Sequence, residues 1–260
     1  MAGATGRVGR HVVDLLEIRG HDVVSMSRST GVDLITGEGL ADALTGVEVV
    51  VDTATGSSSD GDEATAFFAA ATRSLQEAGE RAGVQRMVVV SIIGADRFSG
   101  GYQAAKIVHE QAMQAGPVPA RILRAAQFHE FVEELMTWGR QGDVSYLPRM
   151  RTQLVAARTV AQALATLATG PESGSQSEQI LEIAGPRAEN LVAMASVLAA
   201  RRGDPARVEE ISAASDPEAE LLANGALLPG PNAVLAGPTF EEWLDSDSEP
   251  TRRAGTRMAA

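Results

Sequence analysis

Apolar residues recur at two spacings along the first half of the chain. Val8, Val12, Leu15 and Leu16 fall on one face of a helix over 8–18, and Gly20 stops it. His21 to Met26 reads as a short buried strand, Gly31 to Leu34 as a very short one, and Glu38 to Leu44 as one or two helical turns. Val47 to Val51, interrupted by Glu48, is an apolar β-branched run, the pattern of a strand buried on both faces. A polar loop over 56–62 leads to a long helix over 63–82. A strand over 87–93, a helix over 101–114 and a strand over 120–123 follow.

Strands alternating with helices at this spacing predict an α/β fold, a doubly wound parallel sheet of the Rossmann type. Beyond Gln127 the rhythm loosens. Helices are expected over 128–139, 159–168, 191–200 and 240–244, with a strand over 179–183 and a Gly/Ser-rich loop over 170–177. Turns are expected at Gly230-Pro231 and Gly237-Pro238, and Thr159 as the cap of its helix. The expected division is a dinucleotide-binding core over 1–126, a small C-terminal α/β substrate lobe over 127–245, and a disordered tail over 246–260. No internal repeat is present.

Composition narrows the field. With 260 residues the chain fits one α/β domain carrying a lobe. It has no cysteine, which removes disulfides, thiol catalysis and thiolate metal sites. No apolar run reaches membrane-spanning length and no leader pattern opens the chain, so a cytoplasmic protein with no membrane partner is expected. A net charge of −12 argues against nucleic acid as a partner.

The first candidate for chemistry is the turn Gly3-Ala4-Thr5-Gly6-Arg7-Val8-Gly9, ahead of the first helix. Such glycines let backbone approach a pyrophosphate at a helix N-terminus. The turn normally follows a central strand of about five residues, of which only Met1 and Ala2 are present. This predicts that the natural chain starts upstream or that this one is cut short. About 20 residues past the turn, NAD-binding folds place an acid for the ribose 2′-hydroxyl. Here the segment Ser25-Met26-Ser27-Arg28-Ser29-Thr30 offers an arginine among hydroxyls, a set that suits a 2′-phosphate and so favours NADP over NAD.

The second candidate is Tyr102-Gln-Ala-Ala-Lys106. It pairs one of two tyrosines with the single lysine of an arginine-rich chain, on one helical face. A lysine so placed is expected to lower the phenol pKa and prepare it for proton transfer. The four histidines, at 11, 21, 109 and 129, form no ligand set, so no metal is expected. Trp138 and Trp243 are expected to serve packing, and His129 to line a substrate pocket or to sit in a helix.

Taken together, these segments resemble an atypical short-chain dehydrogenase/reductase of the NmrA-like NAD(P)H-binding group. The resemblance also rests on Asp52-Thr-Ala-Thr-Gly56, Val88-Val-Val-Ser-Ile-Ile-Gly94, Ile122-Leu-Arg-Ala-Ala-Gln-Phe128 and Gly237-Pro-Thr-Phe-Glu-Glu-Trp-Leu244. It implies that Gly3, Thr5, Gly6, Arg7, Val8 and Gly9 hold the pyrophosphate and that Arg28 meets the adenosine phosphate. Asp33 and Leu34 would lie against adenine, and Thr53 and Ala54 would flank the cofactor. Lys106 would bind the nicotinamide ribose, Tyr102 would give the proton, and Ser91 would help it. Phe128, with His129 beside it, would border the substrate.

The implied activity is NADP-dependent oxidation or reduction of a small carbonyl, quinone or related acceptor. The alternatives are a non-catalytic NADP redox sensor acting through a protein partner and, more weakly, a sugar-nucleotide epimerase. Two departures stand out. Ser91 is only eleven residues before Tyr102, closer than in active members, and Tyr102 follows Ser99-Gly100-Gly101, a flexible approach.

Overall fold

A run such as Val49-Val50-Val51 is stable only where both faces are covered, and the computed structural model shows how this chain covers them. The structure describes residues 1–58, 60–171, 180–211 and 217–247. Helix α1 spans Gly9–Ile18 and α2 Leu40–Ala43. β1 (Val49–Asp52), α3 (Gly61–Ala82), β2 (Arg86–Ile92), α4 (Gly101–Ala115) and β3 (Ala120–Ala125) then alternate. The later chain runs α5 (Phe131–Trp138), β4 (Arg140–Gln141), β5 (Val144–Pro148), β6 (Arg151–Thr152), α6 (Ala157–Thr169) and β7 (Ile180–Ala184). It continues as β8 (Glu189–Asn190), α7 (Leu191–Arg202), β9 (Arg207–Ile211), α8 (Pro217–Ala223), β10 (Val234–Leu235) and α9 (Phe240–Asp247).

The main sheet is parallel, in the order β1-β2-β3-β7-β10. Successive residues of each strand feed opposite layers. Val51, Val88, Leu123 and Ile183 pack with Val12 and Leu16 of α1 and with Val160 and Leu164 of α6. Val50, Met87, Val89 and Ile122 pack with Leu75 and Ala78 of α3 and Met113 of α4. This is the expected doubly wound fold. A third cluster, including Val132, Leu147, Leu191, Leu227 and Phe240, forms the lobe around the small sheet β4-β5-β9. Residues beyond 127 serve both parts: α6, β7 and β10 complete the core, while α5, α7 and α9 build the lobe.

Local chemistry sets the long helix α3. The Asp60 carboxylate accepts from the amides of Asp62 and Glu63 at its start, and Gly83 ends it at φ 75°.

Several expectations give way to tertiary context. The stretch 21–25 forms no ladder. The described backbone beside it is Met1 to Gly3, which exchanges hydrogen bonds with Met26 on one side and with Val51 and Thr53 on the other. Gly31 to Leu34 is a turn rather than a strand. Thr159 lies inside α6; Glu130 caps that helix instead, its carboxylate accepting from the Ala157 amide. Trp138 is 63 % exposed, edge-on to Phe131, and so contributes little packing. Asp245 to Asp247 are helical, and the rest of the expected tail and most of the 170–177 loop lie outside the described residues.

Gln76 ties α3 to the α4–β3 connection. Its amide donates to the Met113 and Val118 carbonyls and its oxygen accepts from the Val118 amide. Gln76→Leu leaves the Val118 amide and carbonyl without this partner, while Met113 keeps the Gly116 amide, at about 1–3 kcal/mol for each unsatisfied group. Urea unfolding should show a loss on the order of 2–4 kcal/mol with an unchanged m-value.

Candidate functional site: the strand ends and the glycine turn

Backbone packing defines the glycine turn. Gly3 has φ 70°, and a methyl added there would come within 2.8 Å of the Thr53 carbonyl carbon and the Ala54 nitrogen. A methyl on Gly9 would reach 2.0 Å from the Gly3 carbonyl oxygen. Gly3 must therefore lie directly against the end of β1, and α1 must start directly against Gly3. The Gly6 amide bonds to the Gly3 carbonyl, whereas the amides of Thr5, Arg7 and Val8 have no partner among the described residues. A turn pressed flat at the mouth of a helix, with free N–H groups, fits a pyrophosphate. The Arg7 guanidinium pairs with Glu134 on α5, across the seam between core and lobe.

Arg28 opens a single 3₁₀ turn over Arg28–Thr30, just after Met26, whose carbonyl receives the Gly3 amide. It is exposed and has no ion-pair partner among the described residues. Ser27, Ser29 and Thr30 bond to one another and brace the turn. Asp33 turns its carboxylate onto the amides of Ile35 and Thr36, and Leu34 is buried in the core beside Met26 and Leu40. Thr53 bonds through its hydroxyl to the Ala2 carbonyl, and the Ala54 amide donates to Asp52 Oδ1 at 2.8 Å.

The buried face of α4 carries Ala105, Lys106, His109, Glu110 and Met113. Tyr102 lies one turn earlier, half-buried, its hydroxyl 2.8 Å from Thr55 Oγ1 beyond the end of β1. Lys106 Nζ does not bond to the phenol. It donates to His109 Nδ1 at 3.0 Å and lies 4.4 Å from the centre of the Phe68 ring. His109 Nε2 meets Asp52 Oδ2 at 3.2 Å, and its ring stacks on Phe68. One turn on, Glu110 holds Arg124 of β3 in a bidentate pair that Asp96 extends.

Burial sets the electrostatics. It pulls the Lys106 ammonium down to about 8, against the opposing charges of Asp52 and Glu110. Burial and then Lys106 hold His109 below the usual imidazole range. Burial pushes the Asp52 carboxyl up, but the hydrogen bond from His109, with the Ala54 amide and the Lys106 charge, outweighs it and leaves the group low. The Tyr102 phenol is raised, by burial first and by Asp52 as well, with Thr55 opposing. The phenol is thus raised rather than lowered as expected, with burial the largest influence on it.

The approach to Tyr102 is tethered rather than loose. A methyl on Gly61 would come within 2.9 Å of Gly101 Cα, and the Gly100 amide donates to the Glu218 carboxylate of α8 at 3.0 Å. Ser91 is buried and its hydroxyl has no partner among the described residues. By strand alternation it shares the α3/α4 face with Met87 and Val89. Phe128 bridges to Val155 and rests half-buried on the core, while His129 is buried in the lobe between Phe240 and Trp243. Among the described residues there is no metal-ligand cluster and no helix long and apolar enough to cross a membrane.

The site thus includes residues that the sequence reading passed over: Asp52, Thr55, Phe68, His109, Glu110 and Glu134. His109 had a local signal, three residues after Lys106 on the same helical face. Asp52 had a weaker one, a carboxylate closing an apolar run.

Residues 3–171 match the family described as NAD(P)H-binding. The chain belongs to this NAD(P)H-binding family. No curated protein matches the chain. Among solved structures it is similar to DesIV, a dTDP-glucose 4,6-dehydratase from Streptomyces venezuelae with NAD bound. That match has a TM-score of 0.72 at 18% identity and covers 94% of each chain. MoeE5 in complex with UDP-glucose and NAD matches with a TM-score of 0.68 at 20% identity, over 95% of this chain and 98% of that one. A short-chain dehydrogenase/reductase superfamily protein from Agrobacterium tumefaciens with bound NAD matches with a TM-score of 0.64 at 19% identity, over 94% of each. At these identities the likeness is one of fold. The family match begins at Gly3, the first residue of the glycine turn.

His129 supplies a test of the lobe. Its Nε2 donates to the Pro238 carbonyl at 3.1 Å, and burial holds its pKa at about 4, below the ordinary 6.5. The unfolded chain therefore takes the extra proton first, so stability rises with pH from about 4 to 6.5 and is fully in place above that. Between pH 7 and pH 4.5 the wild type should lose about 2 kcal/mol more than His129→Gln, by urea unfolding at the two pH values.

Proposed function

We propose that this protein is an NADP(H)-dependent oxidoreductase acting on a small carbonyl, quinone or related acceptor. The observation that carries the reading is the Tyr102 hydroxyl on Thr55 Oγ1, at the same strand ends as the glycine turn and one turn from the buried Lys106. In doubly wound sheets ligands bind at the carboxyl ends of the strands.

In this reading the main chain from Thr5 to Val8, with Gly3, Gly6 and Gly9, takes the pyrophosphate. Arg28 takes the 2′-phosphate, and Asp33 and Leu34 border the adenine side. Thr53 and Ala54 flank the middle of the cofactor and Lys106 serves the nicotinamide ribose. Bound there, the nicotinamide supplies or accepts a hydride. Tyr102 gives the proton to the substrate oxygen, with Ser91 behind it and Phe128 and His129 on the substrate side.

A second reading has its own support. The similar structures that span nearly the whole chain include MoeE5 with UDP-glucose and a nucleoside-diphosphate-sugar epimerase from Staphylococcus aureus (TM-score 0.67, 14% identity, covering 94% of this chain and 98% of that one). A panel of UDP- and dTDP-sugars run beside carbonyls and quinones separates the two. Turnover of the sugar nucleotides alone would replace the first reading.

Two measurements test the assignments. Arg28→Ala should weaken NADPH binding by about tenfold or more, the weight of a lost charge-assisted pair, and leave NADH binding unchanged. Tighter binding of NADH than of NADPH by the wild type would overturn the NADP assignment. Tyr102→Phe should lower kcat by about 10²–10⁴-fold with NADPH affinity intact. Undiminished turnover would remove Tyr102 from the chemistry.

A further inference from the structure

Lys106 is the chain's single lysine, and what holds it is not its neighbour Tyr102. Its ammonium donates to His109 Nδ1, and an ammonium has no acceptor to offer in return. His109 Nδ1 must therefore be bare, and the ring proton must sit on Nε2, where Asp52 Oδ2 receives it. The other Asp52 oxygen receives the Ala54 amide, and Ala54 is the residue against which Gly3 is pressed. Phe68 closes the arrangement, stacked on the imidazole at 4.6 Å and 13° and lying under the ammonium. Asp52, Lys106 and His109 are at most 4% exposed, so water does not compete for these bonds. The other charged groups near the cluster are Glu110 and Arg124, which satisfy each other, and the Met1 ammonium, which donates to the Val24 carbonyl and interacts with Asp52.

We propose that His109 and Asp52 are positioning residues for Lys106, forming a fixed-tautomer relay that joins the glycine turn to the lysine through Ala54. The proposal rests on the reading of Lys106 as a cofactor residue. A flexible four-carbon side chain loses much entropy when placed. The relay fixes it before the cofactor arrives, and it links the pyrophosphate end of the site to the nicotinamide end.

The test has a part that needs no cofactor. In the ¹⁵N-labelled wild type, the His109 ring should show one pyridine-like nitrogen, Nδ1, and one pyrrole-like nitrogen, Nε2, unchanged from pH 6 to pH 7.5. Comparison with His109→Asn assigns the signals. Two protonated nitrogens, the reverse tautomer or a mixture would overturn the relay.

The second part is NADPH titration of the full chain. His109→Phe, which keeps the ring stack but offers no acceptor, should raise Kd about tenfold. His109→Asn, which offers an oxygen near the Nδ1 position, should recover at least a third of the lost affinity. Lys106→Met should be at least as weak as His109→Phe. Wild-type affinity in His109→Phe beside a weakened Lys106→Met would overturn the positioning role and leave the lysine assignment standing. Wild-type affinity in Lys106→Met would overturn the cofactor reading of the lysine itself.

Discussion

A carboxylate that is 2% exposed has to be neutralised from inside the protein, and the arrangement of this site follows from how Asp52 is served. An unpaired charge at that depth costs several kcal/mol. Asp52 meets the cost with a backbone amide on one oxygen and the His109 ring on the other, and Lys106 supplies the opposite charge one bond further on. The partners come from two parts of the site. Ala54 is on the loop that Gly3 packs against, and His109 and Lys106 are on α4. The imidazole and the ammonium both rest on Phe68 of α3. Satisfying one buried charge thus fixes three elements at the carboxyl ends of the strands.

The parts of this fold that were legible in the sequence are those whose determinants are local. Val49 to Val51 and Met87 to Val90 read as strands because they alternate between two apolar layers, and α3 and α4 read as helices because their buried faces repeat every three to four residues. The strands of two residues, β4, β6, β8 and β10, carry no periodicity and exist only through their partners. His21 to Met26 has strand composition, yet a strand needs a ladder along its length and only Met26 is bridged. The cap of α6 was misread for the same reason: Thr159 looked local, whereas Glu130 comes from 27 residues away. In the site, the glycine turn and the Tyr102–Lys106 pair have fixed short spacings and were visible. Asp52 and His109 are 57 residues apart and meet only after α3 and β2 are in place.

The seam between core and lobe is built unevenly. Just past the end of β2 the chain has no room to spare: a methyl on Gly94 would lie 2.0 Å from the Ala226 carbonyl oxygen, beside the buried Phe98 and Leu227. Close-packed contacts of this kind resist small displacements. At the glycine turn the link is the pair Arg7–Glu134, with both side chains partly exposed, and such pairs contribute about 0–1 kcal/mol. The seam is therefore close-packed at Gly94 and weakly held beside the glycine turn.

The phenol itself shows why the motif's spacing was a poor guide to its electrostatics. Lys106 is one turn from Tyr102, and spacing alone suggests that its charge lowers the phenol pKa. The ammonium is instead directed at His109, and the phenol is raised by burial and by the Asp52 carboxylate, with the Thr55 hydrogen bond opposing them. A raised phenol keeps its proton across the neutral range. By the Brønsted relation a phenol raised in this way is a weaker acid than an ordinary one, so burial and Asp52 oppose proton release from Tyr102. The same buried carboxylate that orders the site thus also holds the phenol in its protonated form.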